Sequence, residues 1–176
     1  MLIQNDAVYL RSPRKQDAPA ILKSVNNDDI RYLTGTTAIF TLEKIVKHIE
    51  ECKLDDTRVD FVVCLQGMDK VIGEGGIVEL DRVNELGYYR IAMFPEFIGK
   101  GYGTEGTKLA VDYAFTTLHL NRLQLEVYTH NPRAQRSYEK VGFVKEGVRR
   151  QAVKWRDGYF DEVIMAVLRE DWLLGK

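Results

Sequence analysis

The chain has 176 residues, of which 45% are hydrophobic and 29% are charged, a composition typical of one globular domain. Its 25 Lys and Arg residues against 26 Asp and Glu residues give a net charge of -1, which excludes a broad electrostatic attraction to nucleic acid or anionic membranes. Cys52 and Cys64 match no metal-binding spacing and are too few for a disulfide framework. No stretch reaches transmembrane length or matches a signal peptide, so we predict a cytoplasmic protein with no membrane or nucleic-acid partner.

The first third of the chain predicts one strand and two helices. Residues 7–11 alternate between apolar and polar side chains, as in a strand. Asp17 is predicted to cap a first helix, which the polar residues 26–29 end. Residues 33–40 are predicted as a loop, after which Thr41 caps a second helix. Helices placed ahead of a sheet in this way are candidates for the wall of a substrate pocket.

The middle of the chain predicts three strands. Residues 59–65 and 71–80 have the pattern of an antiparallel hairpin with a short turn. Three glycines, Gly73, Gly75 and Gly76, interrupt the second strand and indicate a bulge or a close backbone approach. Residues 88–94 form a further apolar strand that leads into a glycine-rich stretch.

Four glycines, Gly99, Gly101, Gly103 and Gly106, lie between this strand and a helix predicted at residues 108–118. The start of a helix presents unpaired N–H groups and the positive end of the peptide dipoles. Glycines let an anion approach those amides closely, so the stretch predicts a phosphate site. A flexible turn would require neither four glycines nor a strand and a helix on its two sides.

The same glycines also satisfy the dinucleotide-binding pattern G-x-G-x-x-G, with Glu126 near the position of a ribose-binding acid. In dinucleotide folds, however, the glycines follow the strand directly, whereas residues 95–98 intervene here. Too few residues follow Gly106 for the remaining βα units, and no Gly-Lys-Ser/Thr sequence indicates a P-loop. We therefore favour a different phosphate ligand.

The last third of the chain predicts a strand at 123–128, a helix at 133–141, and two strands near 143–151 and 162–168. Antiparallel strands thus come first, followed by a β-α-β-α unit and a closing hairpin. This order predicts an α+β fold with a mixed sheet, in one domain that spans residues 1–176.

Residues 131–143 read N-x-x-A-x-x-x-Y-x-x-x-G-F, with Asn131 as a possible helix cap and Ala134 and Tyr138 on one helix face. Alone, this pattern would indicate a capped helix with a core tyrosine. Following the glycine-rich stretch, it resembles the Gcn5-related N-acetyltransferase (GNAT) superfamily. The resemblance extends over residues 10–172 and is strongest over residues 95–143.

This resemblance implies a mixed, mostly antiparallel sheet flanked by helices, and acetyl-CoA as cosubstrate. The family loop holds the pyrophosphate, the preceding strand pairs with the pantetheine, the asparagine contacts the pantetheine or acetyl end, and the tyrosine acts as general acid on the thiolate. The implied catalytic acid is Tyr138. The implied cofactor-binding residues are Ile91, Ala92, Met93, Gly99, Lys100, Gly101, Tyr102, Gly103, Thr104, Asn131 and Arg133.

Three further stretches, residues 9–13, 76–80 and 161–172, resemble a subgroup that includes spermidine acetyltransferases and ribosomal-protein N-terminal acetyltransferases. The resemblance implies direct attack of a primary amine on the thioester in a ternary complex. A small polyamine such as spermidine is the preferred acceptor, and a protein N-terminus is the alternative. A module that binds acetyl-CoA without turnover is a third possibility, and assembly into a homo-oligomer is a further implication.

The general base is the least determined element, because related sequences often have a glutamate where this chain has Tyr88. Glu79 is the first candidate and Glu85 the second, each of which has the alternative of a solvated surface carboxylate. The three histidines, His48, His119 and His130, are further candidates by residue type. We predict structural positions for the first two and an orientation away from the chemistry for His130. No metal site is predicted.

Overall fold

The computed structural model describes residues 2–175, in which eight strands form one sheet with helices on both faces. The strands are β1 (Leu2–Gln4), β2 (Val8–Arg11), β3 (Val59–Leu65), β4 (Val71–Asp81), β5 (Leu86–Met93), β6 (Arg122–Tyr128), β7 (Val144–Trp155) and β8 (Gly158–Leu168). The helices are α1 (Ala18–Val25), α2 (Asp28–Thr34), α3 (Leu42–Glu51), α4 (Tyr102–Thr116), α5 (Pro132–Glu139) and α6 (Arg169–Leu174). Short 3-10 turns at Lys15–Asp17 and Pro95–Phe97 precede α1 and α4.

The strand order is β1-β2-β3-β4-β5-β6-β8-β7, and neighbouring strands are antiparallel except at one place. That place is the junction of β5 and β6, which run parallel because α4 carries the chain back between them. Their pairing joins Leu86–Tyr88 to Arg122–Gln124 and ends there, so the two strands separate beyond it. The predicted α+β fold with a mixed, mostly antiparallel sheet is confirmed.

The two faces of the sheet are covered by different helices. On one face, Ile21 of α1 and Ile45 and Ile49 of α3 pack on Val62 and Cys64 of β3. On the other face, α4 and α5 cover a larger core that includes side chains from β2 to β8. Because strand residues alternate between the faces, β2, β3 and β4 contribute side chains to both cores.

The helix α2 was not predicted. It ends at Thr34, so the expected loop at residues 33–40 begins two residues later, at Gly35. The polar residues 26–29 end the first helix as predicted, since α1 stops at Val25. Asn27 also caps α2, because its Oδ1 accepts from the N–H groups of Asp29 and Ile30. The helix ends at Gly35, whose φ of 65° is readily adopted by glycine. A seven-residue helix has too short an apolar pattern to be recognised by periodicity.

Helix α4 starts at Tyr102, six residues before the predicted start, so Gly103 and Gly106 lie inside the helix. Their lack of side chains has a packing reason. A Cβ at Gly103 would lie 3.2 Å from the Met93 side chain, and one at Gly106 would lie 3.4 Å from Ile91. These two glycines therefore let α4 approach β5 closely.

The glycines of β4 show the predicted close approach in full. A Cβ at Gly75 would lie 2.5 Å from the carbonyl oxygen of Arg90 and 2.9 Å from the Phe61 ring, so a larger residue does not fit.

No helix in the part of the chain that the structure describes is long and apolar enough to cross a membrane.

Candidate functional site

The separation of β5 and β6 opens a wedge-shaped cavity of about 540 Å³, which we call the wedge. Residues 90–93 of β5 line one side and residues 126–128 of β6 line the other. Because the pairing of the two strands stops at Tyr88 and Gln124, backbone groups at these strand edges face the cavity instead of another strand. An extended ligand can hydrogen-bond to such an edge as an added strand would.

The glycine-rich stretch forms one end of the wedge, next to the N-terminus of α4. Gly99 and Gly101 have φ angles of 80° and 85°, a left-handed conformation that glycine adopts without strain. Gly101 is the N-cap residue, and no side chain caps the helix. No protein atom lies within 4 Å of a Cβ built at Gly99 or Gly101, so the space beside these glycines is open. An open glycine turn at a helix start is compatible with the anion site, which stays a prediction.

Basic side chains accompany this anion site. Arg133, Arg136 and Lys140 of the α5 segment line the wedge and lie on the exposed surface. Their positive charge complements a ligand with several phosphate groups, and their spacing of three to four residues places them on one side of α5.

Asn131 and Tyr138 lie at the two ends of α5. Asn131 caps the helix as predicted, since its Oδ1 accepts from the N–H of Ala134 at 3.2 Å. Tyr138 is 9% exposed, and its ring packs against Tyr89 and Phe143 at centroid distances of 6.4 and 5.8 Å. Burial raises the pKa of Tyr138 to about 12, so its hydroxyl keeps its proton at neutral pH.

The structure brings most of the predicted site residues to this one cavity. Those that line it are Ile91, Ala92, Met93, Gly99, Gly101, Gly103, Thr104, Asn131, Arg133 and Tyr138. Lys100 and Tyr102 belong to the same stretch but are not among the residues that line the wedge. The Lys100 Nζ lies 5.4 Å from the centroid of the Phe97 ring, and the Tyr102 ring centroid lies 6.4 Å from it.

The predicted base Glu79 lines neither the wedge nor any neighbouring cavity described for residues 2–175. It is exposed and has a φ of 51°, and it lies where the register between β4 and β5 shifts, between Val78 and Asp81. Glu85 is also exposed and has a φ of 52°, in the turn that joins the same two strands. Both lie at the end of β5 where it is still paired with β6. The geometry lends neither residue support as the base.

The three histidines have distinct surroundings. His130 packs between Tyr32 and Phe160, at centroid distances of 4.3 and 4.2 Å, and its Nε2 lies 3.0 Å from the carbonyl oxygen of Tyr32. His119 is exposed in the loop after α4. His48 lies on α3, where burial, followed by the charge of Arg58, lowers its pKa.

The sequence reasoning missed the residues that line the other end of the wedge. Helix α2 contributes Ile30, Leu33 and Thr34, so an early helix does line the pocket. Glu126 and Glu162 lie opposite, and Arg149 forms an ion pair with each of them. Asn27 as a helix cap was the sequence signal that could have predicted α2. Glu126 and Glu162 are brought together by the pairing of β6, β8 and β7, for which the sequence has no local signal.

A second cavity, of about 790 Å³, lies between α3 and strands β3, β4 and β5, and we call it the α3 cavity. Arg90 lines both this cavity and the wedge, so the two adjoin at that residue. Asp60 accepts two hydrogen bonds from Arg58, at 2.6 and 2.7 Å, and one from Arg90 at 3.0 Å. Burial raises the pKa of Asp60, but these guanidinium groups outweigh it and leave the pKa below its usual value.

His48, Cys52 and Asp60 place possible metal-ligand atoms within 4.8 Å of one another in the α3 cavity. Two guanidinium groups already neutralise Asp60, and they oppose a further cation. Burial raises the pKa of the Cys52 thiol to about 11, so at neutral pH the thiol is not the thiolate that a metal requires. This cluster is therefore a poor metal site.

A mixed sheet that opens between two parallel strands, with an anion site at a glycine-rich helix start, is the architecture of a GNAT-type N-acetyltransferase. The model of the acetyltransferase (GNAT) domain family matches residues 7–144, and the chain belongs to this family. The resemblance noted in the sequence is thus confirmed, and membership supports acetyl-CoA as the cosubstrate.

Individual relatives agree with this assignment. A probable N-acetyltransferase of Bacillus subtilis, YjcK, is 29% identical over 97% of this chain and 98% of its own length. The spermidine N(1)-acetyltransferase of Escherichia coli K12 is 33% identical, with 72% of this chain and 65% of its own length covered. The structure of Vibrio cholerae spermidine N-acetyltransferase in complex with CoA and spermine superposes with a TM-score of 0.90, at 27% identity, and covers 96% of this chain and 99% of that one.

Proposed function

We propose that the chain transfers the acetyl group of acetyl-CoA to a primary amine, and that a polyamine such as spermidine is the acceptor. The observation that carries the proposal is the wedge itself, which joins an anion site for the cofactor to an acidic end for a cationic acceptor. The Vibrio cholerae structure, which has the same fold, holds CoA and spermine.

Acetyl-CoA would enter with its pyrophosphate at the amides of residues 99–104. Arg133 and the neighbouring basic side chains of α5 would meet its phosphate groups. The pantetheine would extend along the free edge of β5 and hydrogen-bond to the backbone of Ile91–Met93, with Asn131 opposite. This course leads the thioester from the mouth of the wedge towards Tyr138.

The chemical step would be direct attack of the neutral amine on the thioester carbonyl. A backbone N–H of β5 would stabilise the oxygen that becomes negative in the transition state. Tyr138 would donate its proton to the departing thiolate, a role that suits a buried hydroxyl with a pKa of about 12. Binding both substrates in one cavity supplies the orientation on which a reaction without a covalent enzyme intermediate depends.

The acceptor would lie at the end of the wedge between α2 and strands β6 and β8. Glu126 and Glu162 place negative charge there, and the Tyr128 hydroxyl, which donates to the Thr34 carbonyl at 3.3 Å, holds α2 against β6. One guanidinium, that of Arg149, is shared between the two carboxylates, which leaves net negative charge for a polyamine.

The test is release of free CoA from acetyl-CoA in the presence of spermidine, spermine, single amino acids, or a peptide with a free N-terminus. We expect CoA release with the polyamines and a mass increase of one acetyl group on the amine product. Turnover of the peptide alone would identify an N-terminal acetyltransferase. Tight binding of acetyl-CoA in calorimetry without any product would identify a module that binds the cofactor without catalysis.

A further inference from the structure

Glu74 lies on β4, one strand away from the free edge that lines the wedge. It is the direct cross-strand partner of Val62 on β3 and of Ala92 on β5, so the three side chains lie in one row on the same face of the sheet. Neighbouring strands are about 4.8 Å apart, which places the Glu74 backbone that distance from the edge strand. Glu74 is half-buried and lines the α3 cavity, which adjoins the wedge at Arg90.

The row next to Glu74 consists of Asp60, Gly76 and Arg90. Because Gly76 has no side chain, Arg90 reaches across β4 and binds Asp60 at 3.0 Å. A Cβ at Gly76 would lie 3.1 Å from the Asp60 carboxylate. The arginine is thus engaged by Asp60, and within residues 2–175 no group forms a hydrogen bond or ion pair with the Glu74 carboxylate.

An unpartnered carboxyl group in such surroundings binds its proton more tightly than one in water. Loss of solvation raises the pKa of Glu74, and the charge of Asp60 raises it further, while Arg90 and Arg58 act in the opposite direction. His48 and Cys52 on α3 face the same cavity, and burial keeps the pKa of the His48 imidazole low. No described group offers Glu74 a compensating hydrogen bond, so the cost of its burial points to a functional role.

Glu74 and Tyr138 approach the edge of β5 from opposite faces of the sheet. Tyr138 packs on Tyr89, which belongs to the core under α4 and α5. Glu74 shares its face with Val62, which belongs to the core under α1 and α3. A thioester on the β5 edge would therefore have the acid on one side and the carboxylate on the other.

We propose that Glu74 is the proton acceptor for the amine, an inference that rests on the proposed acetyltransferase function. The amine arrives as ammonium and passes one proton to the Glu74 carboxylate, directly or through one water. The nitrogen lone pair forms the C–N bond, the C–S bond breaks, and the thiolate takes the proton of Tyr138. The nitrogen loses its second proton as the amide forms, tyrosinate regains one proton, and each turnover releases one proton to solvent.

The test compares Glu74→Gln with the matched control Glu79→Gln, the exposed glutamate of the same strand. We expect Glu74→Gln to lower kcat with spermidine about 100-fold or more, within the usual range for loss of a general base. KM for acetyl-CoA and the acetyl-CoA affinity in calorimetry should stay within twofold, which also shows that the variant is folded. Glu79→Gln should keep kcat within twofold.

The pH profile separates a proton acceptor from a merely structural residue. Wild-type kcat/KM should rise with pH through the pKa of Glu74 and then level off, whereas that of Glu74→Gln should rise about tenfold per pH unit up to the pKa of the amine. CoA release by the wild type with unchanged kcat and pH profile in Glu74→Gln would overturn this assignment and leave the proposed function standing. A wild type that releases no CoA with any amine would overturn both.

Discussion

The hydroxyl groups of Thr104 and Ser137 share a hydrogen bond of 2.7 Å, which joins the first turn of α4 to α5. Thr104 follows the glycines that form the anion site, and Ser137 precedes the proposed acid. The two halves of the proposed cofactor site, which are separated along the chain, are thus held together at this contact.

This contact should matter for cofactor binding. We expect Thr104→Ala and Ser137→Ala each to weaken acetyl-CoA binding about five-fold, because loss of one hydrogen bond costs about 1 kcal/mol. The double variant should bind no more weakly than either single one, since both remove the same bond. Calorimetry measures the affinities. The control is Thr116→Ala, because the Thr116 hydroxyl lies on the same helix and donates to the Asp112 carbonyl oxygen within that helix. Additive losses would show that the hydroxyl groups act separately.

Gly101→Val should abolish acetyl-CoA binding, because a branched side chain would fill the space in front of the amides of α4. The matched control is Gly67→Val, since Gly67 has a similar φ of 76° and equally open surroundings, in the turn between β3 and β4, and does not line the wedge. Both variants introduce the same backbone strain, on the order of 1–2 kcal/mol. Thermal unfolding should show similar losses for the two, while calorimetry should show lost binding for Gly101→Val alone. Equal binding by both variants would remove the glycine loop from the cofactor site.

Tyr138→Phe should lower kcat about 100-fold and leave acetyl-CoA affinity within threefold, because it removes the proton donor and keeps the ring. Tyr9→Phe is the control, since the Tyr9 pKa is also raised to about 12, by burial and by its hydrogen bond with Asp69, yet this tyrosine lies outside the wedge. Steady-state kinetics with thiol detection gives both values. An unchanged kcat in Tyr138→Phe would exclude it as the acid.

Glu74 should impose a pH-dependent cost on stability. The pKa of Glu74 is raised in the folded state, so the folded protein binds this proton more tightly than the unfolded chain does. The contribution of this proton to the free energy of unfolding is therefore fully present below the unfolded-state pKa of about 4.3. That stability is lost as the pH rises through the folded-state pKa. Glu74→Gln should therefore exceed the wild type in free energy of unfolding at pH 8 and match it near pH 4. Urea unfolding at both pH values tests this, and equal stability at pH 8 would contradict an uncompensated charge on Glu74.

Cys52 should react slowly with iodoacetamide at pH 7.5, because burial, followed by the charge of Asp60, raises the pKa of its thiol to about 11. The rate should rise about tenfold per pH unit from pH 7.5 towards that pKa, since the thiolate is the reacting form. Mass spectrometry of digested protein measures the label, and Cys52→Ser gives the background from the buried Cys64. Rapid labelling at pH 7.5 would show that the thiol is more exposed than it is in this structure.

Much of the fold and half of the site follow from local pattern. Alternating apolar residues and turn signals predicted the strands from β2 to β6, and the caps at Thr41 and Asn131 predicted α3 and α5, because these signals act over a few residues. The short elements β1, α2 and α6 were missed, since three to seven residues are too few for a period to be recognised. The start of α4 was predicted six residues too late, because Gly103 and Gly106 lie inside the helix and glycine is unfavourable in helices.

The glycine-rich stretch and the Asn131–Tyr138 helix were determined by the sequence alone, because a left-handed turn and a helix cap depend on their own residues. Only the tertiary structure decided which carboxylate faces the chemistry. The register shift between Val78 and Asp81 places Glu79 in an exposed bulge, and strand pairing places Glu74 beside Ala92. Side-chain direction on a strand reverses with every residue, so only the pairing of β3, β4 and β5 specifies which face of the sheet each glutamate occupies.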